Sequence, residues 1–252
     1  MPPKDPDETI LPKKNFYDNL TDHVARYIFA SNFVEGKNVL DFGCGRGYGT
    51  YFLSKKATRI IGIDINHNYI SYAKSLFKSQ NLQYYTLDSD EEIISTSDVI
   101  VCFEVFEHVS NINQTLKTIK SWLNDDGIFI ASTPNKELSP QDQGRPFNKY
   151  HVKEYTRDEF YVLLSQFFNH IEIVGQRLKN ENADDIQDYL SKVRLWTKIP
   201  KRMRNLVPSF VQNKLVNTLK TYRVYHNASW QDYIFDDFNP KLSTSLISIC
   251  KK

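Results

Sequence analysis

Asp41, Gly43, Gly45 and Gly47 stand at every second position, directly after the apolar pair Val39-Leu40. A buried strand that ends in an acid and opens through glycines into a helix offers two things. Glycine accepts positive φ and lets a ligand approach the backbone, and the first helical turn presents free N–H groups. A nucleotide-like cofactor suits this arrangement. The spacing argues against two versions of it. A dinucleotide site wants G-x-G-x-x-G over the pyrophosphate. Here the third glycine would fall on Tyr48 counting from Gly43, or on Thr50 counting from Gly45. The Gly-Lys-Ser/Thr of a phosphate-binding loop is also missing. Asp41 would repel a phosphate but can hold a cation.

A second set follows the fourth strand-like run, in Phe103-Glu104-Val105-Phe106-Glu107-His108-Val109. Positions i, i+3 and i+4 share a helical face, so Glu104, Glu107 and His108 are expected to converge. Two carboxylates and an imidazole suit a divalent ion. His151 is the candidate for a fourth ligand. His108 can also serve as a base, since imidazole titrates nearest neutral pH. Asp64 ends the second strand-like run. There an acid either meets ribose hydroxyls or caps a helix. Asp88 follows the third run, as a ligand group or as a solvated loop acid.

The D-x-G-x-G-x-G pattern is similar to motif I of class I S-adenosylmethionine (SAM) methyltransferases. That resemblance implies SAM as cofactor, held by Asp41, Gly43, Gly45 and Gly47, with Asp64 on the ribose and Ile65, Asp88 and Phe103 completing the site. The stretch Glu104 to His108, with Ser132-Thr133-Pro134-Asn135 after the fifth strand, resembles ubiquinone-pathway O-methyltransferases. It also resembles small-RNA 3′-terminal 2′-O-methyltransferases, in which a divalent ion gathers the ribose hydroxyls. By that second resemblance Glu104, Glu107, His108 and His151 would bind Mg or Mn and form the catalytic pocket. Arg26-Tyr27 and Val174-Gly175-Gln176 are similar to features of methyltransferases encoded with glycan-assembly genes. Arg26 would then grip the methionyl carboxylate of SAM, a bidentate pairing for which guanidinium is suited.

Certain elements must position these groups. A helix is expected over 17–33, strand one over 38–41, a helix over 47–55, strand two over 59–64 and a helix over 68–78. Strand three is expected over 82–86, strand four over 98–103, a helix over 111–123, a turn over 124–127 and strand five over 128–132. A helix over 154–168, strand six over 170–175 and a last strand over 243–250 complete the pattern. This alternation predicts an α/β fold, a Rossmann-like doubly wound parallel sheet. The resemblance makes the sheet seven-stranded, with an antiparallel last strand and a helical insertion, 177–240, before it.

Bulk properties suit an enzyme. A chain of 252 residues can bury one large core. Net charge of +2 points to no particular partner. Cys44, Cys102 and Cys250 are scattered and odd in number, which predicts a reducing, cytoplasmic setting. Residues 1–14 read as a disordered tail, and 15–252 as the methyltransferase domain. Within the insertion, Lys192 to Arg223 carries nine Lys and Arg and no Asp or Glu, interleaved with apolar residues. Such a stretch suits a lid helix, peripheral contact with the inner membrane face, or a grip on a phosphorylated or lipid-linked substrate. The expected reaction is O-methylation of a small-molecule, glycan or lipid-linked hydroxyl. The alternatives are RNA 3′-terminal 2′-O-methylation, which makes nucleic acid a partner, and a non-catalytic SAM-binding protein.

Overall fold

Apolar residues on both faces of Val39-Leu40, Ile60-Ile61 and Val99-Ile100 demand a sheet covered on both sides. The computed structural model describes residues 21–88, 96–139, 141–142, 145–146, 148–180, 182–198, 208 and 229–252. The expected N-terminal tail and most of the basic stretch lie outside them. The strands are β1 (Asn38–Phe42), β2 (Arg59–Asp64), β3 (Leu82–Thr86), β4 (Ser97–Phe103), β5 (Leu123–Pro134), β6 (Gln141–Asp142), β7 (Arg145–Pro146), β8 (His170–Leu178), β9 (Tyr233–Asp237) and β10 (Ser245–Lys251). The helices are α1 (Thr21–Ala30), α2 (Tyr48–Leu53), α3 (His67–Leu76), α4 (Ile112–Trp122), α5 (Arg157–Ser165) and α6 (Ala183–Lys198).

The main sheet has eight strands in the order β3-β2-β1-β4-β5-β10-β8-β9. The first five run parallel, and β10 enters antiparallel between β5 and β8. The strand order reverses between β1 and β4, which opens a crevice at their C-terminal ends. One core layer packs Leu40, Phe42, Ile100, Leu116, Phe129 and Phe160; the other packs Tyr27, Val39, Leu53, Ile60, Val99 and Val101.

Three expectations need correction. The sheet gains an eighth strand: β9 lies inside the expected insertion and pairs with β8 from Val174↔Asp237 to Leu178↔Tyr233. Phe235 stacks on Phe29 of α1 at 4.6 Å, so this strand buries apolar surface as well as backbone. The 124–127 turn is absorbed into β5 as an irregularity, since the pairing of β4 jumps from Leu123 to Ile128. The helix over 154–168 starts late, at Arg157, because Thr156 caps it in a reciprocal box with Glu159. Glu154 and Tyr155 therefore belong to the loop before it.

Candidate active site

The glycine run forms the first wall of the crevice. Gly43 and Cys44 donate to the Ile63 carbonyl at 2.8 and 2.9 Å, which ties the loop to β2. Gly43, Gly45 and Gly47 have φ of 80°, 55° and 84°, the left-handed region open to glycine at no steric cost. At Gly45 an added Cβ would meet nothing within 4 Å, so the loop faces open space there. Asp64 accepts from the Gly45 N–H at 2.8 Å and the Asn66 N–H at 2.8 Å. It braces the loop, while Asn66 caps α3. Ile65 beside it is 79% exposed, an apolar surface at the mouth of the crevice. Asp88 is exposed and pairs with His67 at 3.2 Å. A hydrogen bond from Thr86 is the main cause that holds its carboxyl below the usual range.

Three expected cofactor contacts sit deeper than anticipated. Asp41 is fully buried and accepts from Thr50 Oγ1 at 2.7 Å and Tyr27 Oη at 3.2 Å. Burial pushes its carboxyl up to about 7, against those two hydrogen bonds. It anchors α1 and α2 to β1 from beneath the loop. Phe103 turns its ring into the core, 5.2 Å from that of Tyr27. Arg26 is wholly buried. It donates through Nη1 to Gln176 Oε1 at 2.6 Å and Ser245 Oγ at 3.3 Å, and through Nη2 to Asp22 at 3.0 Å. Its Nε has no hydrogen-bond partner. A buried, unpaired guanidinium N–H is costly to leave unmade, and a ligand carboxylate would satisfy it. Nε is the donor that this arrangement leaves open to such a carboxylate. Gln176 also donates to the Asp22 carbonyl at 2.8 Å, so Arg26-Tyr27 and Val174-Gly175-Gln176 meet in space.

The second wall follows β4 and β5. Phe106 is fully buried against Phe160 and Phe129, which is worth roughly 1.5–3 kcal/mol and pins the 3₁₀ turn Phe106–His108. Glu104 is not on that turn. Its φ of 54° throws it out of helical geometry. Ser132 holds it there, accepting the Glu104 N–H through its carbonyl at 3.2 Å and its Oγ at 3.1 Å, and donating from Oγ to Glu104 Oε1 at 2.8 Å. Thr133 donates to Glu107 Oε2 at 3.3 Å, so the Ser-Thr pair near the end of β5 serves one glutamate each.

Ligand atoms of Glu107, His108 and His151 lie within 4.8 Å of one another. Glu104 is outside this group; its Oε1 lies 3.9 Å from Arg26 Nη1. Glu107 is only 1% exposed. Burial first, and then the Glu104 charge, push its carboxyl well above the usual range. The rings of His108 and His151 meet edge to face at 4.9 Å. His151 arrives because the Val152 and Lys153 N–H groups bond the Glu107 carbonyl at 2.6 and 3.3 Å. Reading by residue type missed Glu154, whose Oε1 accepts from His151 Nδ1 at 2.6 Å. Its i+3 spacing from His151 was the available signal.

The fit to SAM rests on the orphaned Arg26 Nε, the open face of Gly45 and the exposed Ile65. A divalent ion fits a carboxylate with two imidazoles, a borderline donor set.

A methyltransferase-domain family model matches residues 14–169. The chain is 29% identical over 129 residues to a protein of Mycolicibacterium smegmatis described as a probable S-adenosylmethionine-dependent methyltransferase, covering 51% of this chain and 50% of that one. It is 30% identical over 117 residues to the ubiquinone biosynthesis O-methyltransferase of Coxiella burnetii, covering 45% and 50%. The chain thus spans about half the length of the curated relatives it matches. In fold it is similar to a SAM-dependent methyltransferase of Archaeoglobus fulgidus, with TM-score 0.54, 15% identity and coverage of 92% and 93%. It is also similar to the [4+2]-cyclase SpnF, with TM-score 0.53, 16% identity and coverage of 93% and 81%.

Proposed function

The chain belongs to the SAM-dependent methyltransferases, and on that footing we propose that it methylates a hydroxyl oxygen of a small-molecule, glycan or lipid-linked acceptor, with a divalent cation assisting. The observation that carries this is the convergence of Glu107, His108 and His151 on the crevice side of β4 and β5. A hydroxyl is a poor nucleophile until its proton is drawn away, and this group is suited to draw it.

SAM supplies a methyl group already activated by its sulfonium, so most of the rate must come from positioning. Arg26 Nε and the glycine backbone would seat the methionyl end, and Asp64 and Ile65 the nucleoside end. A cation (Mg or Mn) held by Glu107, His108 and His151 would lower the pKa of the acceptor hydroxyl. The proteins' own groups are set for this. His108 Nδ1 lies 3.0 Å from the Tyr150 carbonyl, which can only accept, so Nδ1 carries the proton and Nε2 keeps its lone pair. If no cation is held, that same Nε2 takes the hydroxyl proton as a base.

Labelled methyl transfer from SAM into fractionated cell extract tests the reading, run with and without a chelator. The fractions are RNA, lipid-linked glycans and small molecules. Label in the glycan or small-molecule fractions that disappears with chelation and returns with Mg or Mn supports it. Label that survives chelation leaves His108 as the base. Nuclease-sensitive label overturns the acceptor assignment in favour of RNA ends.

A further inference from the structure

His151 is enclosed by hydrogen bonds that leave its protonation no freedom. The Tyr150 N–H donates to Asn148 Oδ1 at 3.1 Å, which fixes the orientation of the Asn148 amide. Asn148 Nδ2 then faces His151 Nε2 at 2.7 Å. An amide NH₂ only donates, so Nε2 must carry a lone pair. The proton is therefore on Nδ1, where Glu154 Oε1 accepts it at 2.6 Å. Glu154 is itself 3% exposed, and its other oxygen accepts from Gln141 Nε2 at 2.8 Å. A buried carboxylate with both oxygens engaged is a rigid support for the ring.

We propose that Glu154 is a positioning residue that holds His151 with its Nε2 lone pair available to the Glu107–His108 group, and that Asn148 covers this lone pair until a divalent cation displaces it. This rests on the cation reading of the site. The division of labour is physical. Asn148 is exposed and tied by single hydrogen bonds, so its amide can swing away. Glu154 is buried beneath the ring and cannot. A carboxylate behind a ligating histidine fixes its tautomer and raises its basicity, and losing it typically costs about 10–100-fold in metal affinity.

The test titrates Mn²⁺ alone into the full chain, following the free ion by electron paramagnetic resonance. Affinity for S-adenosylhomocysteine serves as the check on folding. Glu154→Gln preserves shape and is expected to weaken Mn²⁺ at least tenfold while S-adenosylhomocysteine binds as before. Imidazole ¹⁵N NMR should show His151 as the Nδ1–H form in the parent and as a mixture in Glu154→Gln. Asn148→Ala is expected to bind Mn²⁺ as tightly as the parent or more tightly. Parent-like Mn²⁺ affinity in Glu154→Gln overturns the role of Glu154 while the cation reading stands. A tenfold loss in Asn148→Ala overturns the cover and makes Asn148 a ligand. A parent that takes up no Mn²⁺ defeats the cation reading and this inference together.

Discussion

Asp41 and Glu107 are both buried acids whose carboxyls burial pushes upward. Asp41 meets only two hydroxyls and no cation, so burial wins and its pKa rises from 3.8 to about 7. Between those values the native state holds a proton that the unfolded chain has released. Stability from this group is full below pH 4 and falls as pH rises towards 7. Thermal unfolding followed across pH 4 to 8 should show that decline, and Asp41→Asn should flatten it and be the more stable protein above pH 7. His108→Ala belongs to the reaction instead. It should cut methyl transfer by about 100-fold or more while S-adenosylhomocysteine binds within a factor of about two; equal loss of both would move His108 into the cofactor site. The glycine run, Glu107, His108 and His151 were legible in the sequence because type and spacing carry them. Glu154 and Asn148 were not, because their role depends on a loop docking onto the Glu107 carbonyl. The meeting of Arg26 with Gln176, 150 positions on, was not legible, because no spacing pattern joins positions so far apart.

Helix α1 shows what an element contributes beyond its residues. It packs against α2 and passes Tyr27 between Gly49 and Asp41. An added Cβ at Gly49 would stand 2.0 Å from the Tyr27 ring. Gly49→Ala must therefore push α1 away and break the Tyr27–Asp41 bond, costing about 1–3 kcal/mol as overpacking does. Gly45→Ala meets no neighbour and pays only for its left-handed backbone, about 1–2 kcal/mol. Measured side by side, Gly49→Ala should lose stability through packing. Gly45→Ala should stay folded and lose at least about tenfold in S-adenosylhomocysteine affinity, because its methyl projects where the ligand approaches. The elements themselves were readable where a run of apolar residues marks them, as in β1, β2 and β4. They were misread where a cap overrode it: Thr156 starts α5, and nothing in 154–155 announces that the chain is still a loop. Strand β9 escaped notice because Tyr233–Asp237 ends in two acids rather than continuing an apolar run, and its partner β8 precedes it by more than fifty positions.

At the scale of the molecule, the reversal of strand order between β1 and β4 makes one crevice with two chemistries. Glycines and Asp64 line one half, and Glu107 with the histidines lines the other. The order of the first five strands also serves dinucleotide enzymes, and a [4+2]-cyclase is similar in fold, so architecture does not choose the ligand. The loop does. Tyr48 and Thr50 stand where a pyrophosphate site would need its third glycine, and an acid rather than a cation lies beneath. Binding to the native state alone stabilises it by about 2.7 kcal/mol at a hundredfold excess over Kd. For a chain of 252 residues that is a rise in Tm of roughly 5–10 °C. S-adenosylhomocysteine should produce that shift and NAD none. Because α1 is tied through Arg26 to Gln176 of β8 and Ser245 of β10, a ligand that satisfies Arg26 Nε bears on both ends of the chain at once. Arg26→Lys lacks that donor geometry, and the shift with S-adenosylhomocysteine should shrink in it even where the unliganded Tm is kept. A shift that survives intact in Arg26→Lys would place the carboxylate of the ligand elsewhere in the crevice.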